Sequence, residues 1–272
     1  PSAMQVSKTK GDSPSGFNSI RLVGNRMSMD ILEPIPINSI EDWNSVIFEL
    51  DFWGDVPDPN SLEIISKSSN ERGLSVKITS SGMEWLAEFL PWGSDNRIDS
   101  RAVNSHPSVD KPCGGYRWKE QDIIILRKIK NYRTNSNDEL IQALNEGNKE
   151  IAVDILHNSG QSLGFYHSSV KSFRETPMDQ KRWNKRLLDL EEKLSANTIW
   201  RAPFSRKATC MLSLGDVRFT DILISGSSEY FLRISPPRLA DGLYKPVCEF
   251  PAIRDLSCLV QDLGRLFHKT QS

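Results

Sequence analysis

The sequence contains little cysteine or histidine and no long apolar run. Its four cysteines are Cys113, Cys210, Cys248 and Cys258, and no two of them have Cys-x-x-Cys spacing. The pattern indicates neither a disulfide framework nor a zinc site. No apolar run approaches the roughly 20 residues that a membrane-spanning helix needs. We therefore expect a cytoplasmic protein that holds no zinc and does not contact a membrane.

An excess of charge of one sign is also missing. Lysine and arginine number 34 against 35 aspartates and glutamates, so the formal net charge is -1. No overall charge attracts nucleic acid, and we expect no nucleic-acid partner. At 272 residues the chain can bury a sizeable core in one large domain or two lobes. With nucleic acid and membrane excluded, the expected partner is an unknown protein or small molecule.

The first half of the chain predicts mainly strands. Residues 1–18 have almost no apolar content and predict a mobile tail. Residues 46–50 have the β-branched and aromatic content of a strand. The clearest hairpin comprises residues 62–65 and 74–78 around a turn at 70–73. Residues 93–118 predict a long loop.

Two further segments complete this half. Residues 82–90 predict a short helix with Glu84 and Glu88 on one face. Residues 123–126 are four consecutive apolar residues and predict a buried strand. Arg127 and Lys128 follow that strand, and we interpret them as a basic surface.

The second half predicts helices around one distinctive stretch. One helix begins at 137–139, a longer one ends at 160–167, residues 179–194 form a charged amphipathic segment, and a last helix follows 251. Between them, residues 212–224 have an apolar entry, a Gly215-Asp216 pair, a second acid at Asp221 and an apolar exit. A turn and a returning strand at 230–234 follow.

This stretch resembles the catalytic loop of aminoglycoside-phosphotransferase-like and choline-kinase-like kinases. Their pattern is roughly His-Gly-Asp-x-x-x-x-Asn, followed by a hairpin and an Ile-Asp pair. Residues 160–167 resemble the buried central helix of that family, and Arg254-Asp255-Leu256-Ser257 resembles its Arg-Asp-Leu-Ala motif. The resemblance covers roughly 62–268. It implies an α+β, two-lobed protein-kinase-like fold, with a small antiparallel β lobe followed by a mainly helical large lobe.

The resemblance also implies roles for individual residues. Asp216 falls on the catalytic base, and Lys77 on the lysine that holds the α- and β-phosphates of ATP. Glu88, rather than Glu84, is expected to hold that lysine. Asp221 is expected to bind the metal, and Asp255 to anchor the loop through backbone N–H groups. An active site of this kind uses ATP with Mg²⁺.

The resemblance divides the chain into three parts. Residues 1–18 are the tail, and 19–130 form the β-rich lobe that ends in the strand leading to the hinge. Residues 131–272 form the helical lobe with the catalytic-like loop at 212–224. Lys77 is expected to face Asp216 and Asp221 across a crevice between the lobes.

Several positions depart from the family pattern. Leu214 replaces the histidine of the loop, Asp221 replaces a metal-binding asparagine, and Ser235 replaces the main metal-binding aspartate. A serine hydroxyl is a poor Mg²⁺ ligand, so Asp221 or Asp241 would have to compensate. No Gly-x-Gly-x-x-Gly run precedes the hairpin.

These departures favour a pseudokinase-like binding or regulatory module, which needs no cofactor. Two alternatives stay open: an active, atypical ATP-dependent phosphotransferase that acts on a small-molecule or protein hydroxyl, and an unrelated α+β binding protein.

Overall fold

A computed structural model describes most of the chain. The described residues are 7–23, 28–70, 72–95, 106–170, 185, 188, 192, 210–211, 214–235 and 250–271. Asp241 and most of the amphipathic segment 179–194 lie outside them.

Strands dominate the first half of the chain and helices the second. The strands are β1 Ser7–Lys10, β2 Phe17–Val23, β3 Ser28–Pro34, β4 Asp51–Gly54, β5 Leu62–Asn70, β6 Gly73–Ser80, β7 Met83–Asp95, β8 Val109–Asp110, β9 Gly114–Trp118, β10 Gln121–Lys128, β11 Tyr132–Asn135, β12 Cys210–Met211, β13 Ile222–Ser225, β14 Tyr230–Arg233 and β15 Phe250–Pro251. The α-helices are α1 Ile40–Ile47, α2 Ser136–Asn145, α3 Lys149–Ser169 and α4 Ile253–Gln271. Short 3₁₀ turns occur at Pro59–Ser61 and Phe219–Asp221.

Two separate hydrophobic cores define two lobes. The front core is built by α1 and the large front sheet, and its buried residues include Trp43, Val76, Ile78, Ala87 and Ile124. The back core is built by α2, α3, α4 and the strands between them, and its buried residues include Leu140, Ile155, Tyr166, Ile222 and Leu266. The predicted fold class, α+β with a β-rich lobe before a mainly helical one, is confirmed.

The front lobe contains two antiparallel sheets. One has the order β1-β2-β3, and the other has the order β4-β9-β10-β7-β6-β5. Ser7–Lys10 pair with residues 20–23. Ser7–Lys10 thus form a strand inside the segment that the composition predicts to be a mobile tail, because backbone pairing does not depend on apolar side chains. The mobility of residues 1–18 stays a prediction. The domain boundary at residue 130 stays a prediction.

Residues 40–47 form a helix where the sequence pattern predicts a strand at 46–50. The helix begins at a capping box, in which the Ser39 hydroxyl accepts a bond from the Asp42 N–H at 3.2 Å and the Asp42 carboxylate accepts one from the Ser39 N–H at 3.0 Å. Trp43 and Val46 pack on one face of it. The N-terminal cap and the helical spacing of these apolar residues outweigh their strand propensity.

The predicted hairpin at 62–78 is confirmed, since β5 and β6 pair from Leu62 with Ser80 to Asn70 with Gly73. The helix predicted at 82–90 is wrong, because this segment is strand β7. Trp85, Ala87 and Phe89 are buried in the front core, at every second position. That period belongs to a strand.

The other predictions for these lobes have mixed outcomes. The buried strand at 123–126 is confirmed by β10, and the helices predicted near 137, 160 and 253 are confirmed by α2, α3 and α4. The loop predicted at 93–118 is wrong at its described ends, where β7 continues to Asp95 and β8 and β9 are strands. No helix in the described ranges has both the length and the apolar character to cross a membrane.

Arg127 joins the two lobes from the end of β10. Its side chain is 2% exposed, so it is not part of a basic surface. Its Nε donates to Glu88 of the front sheet at 2.6 Å, and its Nη1 donates to the Asp110 carbonyl of β8 at 3.0 Å. Its Nη2 donates to the Ile234 carbonyl after β14. One buried guanidinium therefore binds both lobes at once.

We predict that Arg127→Met lowers the free energy of unfolding by about 3–5 kcal/mol, because it leaves Glu88 as a largely buried charge without its partner. Denaturant unfolding measures this change. The matched control is Arg21→Met, which removes a pair with Asp30 at 2.8 Å whose side chains are 42% and 29% exposed. Such a pair should contribute less than about 1 kcal/mol. Equal losses in the two variants would contradict the role assigned to Arg127.

Candidate functional site

The loop that carries Asp216 is fixed by the first turn of α4. The Asp255 carboxylate is fully buried and accepts bonds from the Leu214 N–H at 2.9 Å and the Gly215 N–H at 2.8 Å. His167 at the end of α3 lies 3.0 Å from the same carboxylate through its Nε2. Asp255 thus makes the backbone contacts that the family resemblance implies, and His167 is one of its hydrogen-bonding neighbours.

A second acid of α4 holds the far side of the loop. The Asp262 carboxylate, 8% exposed, accepts a bond from the Phe219 N–H at 3.0 Å. The pattern of the sequence does not mark this residue. Asp255 and Asp262 lie seven residues apart, two turns along one helix, so α4 orients both ends of the loop.

Asp221 lies at the end of this loop, and both oxygens of its carboxylate accept hydrogen bonds. Its Oδ1 accepts from Arg72 Nη1 at 2.6 Å and from the Ser235 hydroxyl. Its Oδ2 accepts from Arg72 Nη2 at 2.9 Å and from the Arg218 N–H at 2.9 Å. Each oxygen therefore has two donors, and the carboxylate is buried.

Arg72 comes from the other lobe, at the tip of the β5–β6 hairpin. Besides Asp221, it donates through Nη2 to the Asp216 carbonyl at 2.9 Å and lies 3.4 Å from the Asp216 carboxylate. Burial alone would lower the pKa of Arg72, but the charge of Asp221 and its hydrogen bonds raise the pKa above the usual arginine value. Arg72 is therefore a permanent cation among the acids of the loop.

Asp216 is buried and lies between two arginines. Burial raises the pKa of its carboxyl to about 6, although Arg72 and Arg218 act to lower it. The Arg218 Nε is 3.6 Å from its Oδ1. A carboxyl with a pKa near 6 is in the range that a general base needs at neutral pH.

A cavity lies between the hairpin and the loop. Its volume is about 150 Å³, smaller than the roughly 300–1,000 Å³ typical of ligand pockets. It is lined by Asn70, Arg72, Gly73, Leu74, Ser75, Glu88, Phe89, Thr220, Asp221, Arg233 and Ser235. Asp216 and Lys77 are not among the lining residues.

The contacts described for Asp216 and Asp221 do not include Lys77. Its Nζ pairs with Glu84 of the neighbouring strand at 2.8 Å, and both side chains are partly exposed. Glu88 lines the cavity, but it pairs with Arg127. The expected pairing of Lys77 with Glu88 is wrong, because Lys77 pairs with Glu84 and Glu88 pairs with Arg127. Arg72, which the pattern did not mark, faces the loop instead.

The residues in this arrangement do not fit Mg²⁺. A magnesium ion needs carboxylate oxygens that are free to coordinate it. Both oxygens of Asp221 carry protein donors, and Ser235 brings a hydroxyl that itself donates to Asp221. Within the described ranges there is no group of three or more histidine, cysteine, aspartate or glutamate side chains placed to hold a metal ion. Asp241, the other candidate, lies outside those ranges.

Comparison with solved structures identifies the fold. Glucosamine kinase in crystal form A matches with a TM-score of 0.53 and 10% identity over 99% of this chain and 74% of that one. Crystal form B gives 0.53 and 10% over 99% and 76%. The fold is kinase-like. The structure of glucosamine kinase in complex with glucosamine, ADP and inorganic phosphate matches with a TM-score of 0.51 and 12% identity over 99% and 76%.

Comparisons of the amino-acid sequence give no similar protein. No family model matches it, and no curated protein matches it significantly. At identities of 10–12% the structural likeness shows the kinase-like fold alone.

We predict that Asp255→Asn lowers the free energy of unfolding by about 2–4 kcal/mol, because two backbone N–H groups lose a charged acceptor worth about 1.5–3 kcal/mol each. Thermal and denaturant unfolding measure the loss. Asp262→Asn, which affects a single backbone bond, should cost about half as much. A larger loss in Asp262→Asn would show that Asp255 is not the main anchor.

The raised pKa of Asp216 predicts a pH dependence of stability. Its folded value of about 6 lies above the unfolded value, so the folded protein binds more protons between roughly pH 4 and 6. Stability from this group is therefore full below pH 4 and lost as the pH rises through 6. We expect Asp216 to remove about 1–2 kcal/mol between pH 4 and 7, with solvent screening included.

Melting temperatures from pH 4 to 7 test this dependence. The decline should be shallower in Asp216→Asn than in the wild type. Asp154→Asn, at an exposed position on α3, should keep the wild-type slope. An unchanged slope in Asp216→Asn would contradict the raised pKa.

Proposed function

We propose that this chain is a kinase-fold binding or regulatory module of the pseudokinase type. The observation that supports it is the two-pronged contact of Arg72 with Asp221, at 2.6 and 2.9 Å. In this arrangement, the acid expected to hold the metal is neutralised by a residue of the chain itself. The partner is an unidentified protein or small molecule that the cleft side of the molecule would bind in the cytoplasm.

The requirements of phosphoryl transfer support this proposal. The reaction depends on cations that neutralise the charge developing on the phosphates. Here Lys77 is paired with Glu84, and Arg72 is paired with Asp221. Ser235 offers a hydroxyl in place of a carboxylate.

A second candidate function is an atypical ATP-dependent phosphotransferase. It is favoured by Asp216, whose pKa of about 6 suits a general base. The glucosamine kinase of similar fold is described in complex with glucosamine, ADP and inorganic phosphate. For this function Arg72 would have to leave Asp221, so that ATP with Mg²⁺ could enter.

We predict that ATP with MgCl₂ or MnCl₂ does not raise the melting temperature of the wild type and that no phosphate reaches glucosamine or a protein acceptor. A nucleotide present at 100 times its Kd would stabilise the folded state by about 2.7 kcal/mol, which thermal unfolding resolves. Transfer is followed with ATP labelled on its γ-phosphate.

Two variants distinguish the candidates if a response appears. Lys77→Ala is matched by Lys67→Ala, since both lysines lie on the β5–β6 hairpin and Lys67 bonds only to Asn38 among the hydrogen bonds described for it. A metal-dependent rise that Lys77→Ala abolishes and Lys67→Ala keeps, with transfer lost in Asp216→Ala, would establish the phosphotransferase and refute the binding module.

A further inference from the structure

The contact between Arg72 and the loop has the geometry of guanidinium recognition. Two Nη atoms meet the two oxygens of one carboxylate, and Nη2 also reaches the Asp216 carbonyl at 2.9 Å. A planar guanidinium forms such paired bonds, whereas an ammonium group is a point charge and cannot. The acceptor atoms therefore match the planar shape of a guanidinium group as well as its charge.

These acceptors are positioned by the back lobe without help from Arg72. The Asp221 carboxylate is oriented by the Arg218 N–H at 2.9 Å and by the Ser235 hydroxyl. The Asp221 N–H closes the turn on the Arg218 carbonyl at 2.9 Å. The segment with Asp216 is fixed by Asp255, as described above. Removing the arginine would leave this set of acceptors in place.

Arg72 itself belongs to a different lobe. It lies 149 residues from Asp221 in sequence, and it reaches the loop from a hairpin whose backbone pairing is complete without it. Its side chain is 15% exposed, so its removal opens a path from solvent to the acceptors. The bond thus joins two bodies that are each held by other contacts.

We propose that Asp221 and the Asp216 carbonyl form a guanidinium receptor, and that Arg72 is its replaceable internal ligand. Filled by Arg72, the receptor holds the β5–β6 hairpin down over the cleft. The ligand class that can displace Arg72 is an organic cation with a guanidinium group. This inference rests on the proposed function, because a metal ion at Asp221 would need the same two oxygens.

The test uses the 272-residue chain with Arg72→Ala, and methylguanidinium chloride is the probe. The variant should melt about 5–10 °C below the wild type, since it exposes a buried acid without its partner. Methylguanidinium, added up to about 20 mM and far below denaturing concentrations, should restore a saturable part of the loss. Isothermal titration should show one site in the variant and none in the wild type.

Three controls give the result its meaning. Arg72→Ala combined with Asp221→Asn should lose the response to methylguanidinium. Methylammonium at equal concentration should be at least tenfold weaker, because it lacks the paired donors. MgCl₂ at equal ionic strength should not rescue the variant. A response to Mg²⁺ as large as that to methylguanidinium would overturn the proposal, since the site would then be a metal site covered by an arginine.

A conservative variant covers the case in which Arg72→Ala does not fold. Arg72→Lys keeps the positive charge but loses the paired Nη donors, so it should melt below the wild type. The amide hydrogens of residues 73–80 should exchange at least tenfold faster in this variant than in the wild type. Wild-type melting and exchange in Arg72→Lys would refute guanidinium recognition. Phosphoryl transfer by the wild type would refute the proposed function, yet the methylguanidinium result on Arg72→Ala would stand or fall separately.

Discussion

The ion pair between Arg72 and Asp221 connects the two lobes at the loop that carries Asp216. Both partners are largely out of water, so neither can lose the other without leaving an uncompensated charge. Arg127 forms a second connection of the same kind, through Glu88 on one side and the carbonyls of Asp110 and Ile234 on the other. Two arginines thus link the front lobe to the back lobe.

The loop under these contacts depends on α4. Two aspartates of this helix, Asp255 and Asp262, bind backbone N–H groups at the two ends of the loop. Because the helix is rigid, the distance between its two aspartates fixes the distance between the two ends of the loop. The carboxylate of Asp221 and the carbonyl of Asp216 are therefore preorganised. The carboxylate and the carbonyl are both hydrogen-bonded to Arg72.

Features that depend on neighbouring residues could be predicted from the sequence. The β5–β6 hairpin, the last helix and the contact of Asp255 with the loop follow from local turn, spacing and motif signals. Strand β7 was missed although Trp85, Ala87 and Phe89 recur at every second position, because Glu84 and Glu88 also have the spacing of one helix face. Arg72 was missed because its partners lie 144 to 149 residues away, and no local pattern reports such a pairing. Lys77 was assigned the role from the family resemblance, which matches a local motif.

The difference between Lys77 and Arg72 decides how the site is interpreted. A lysine facing the loop would present a mobile point charge that phosphates can share, as kinases require. An arginine bound to both oxygens of Asp221 has its positive charge neutralised within the protein, and it neutralises the negative charge of Asp221. The negative charge of Asp221 is therefore neutralised by a side chain of the same protein. Whether a kinase-like cleft can bind a charged ligand then depends on how firmly it holds its own cation.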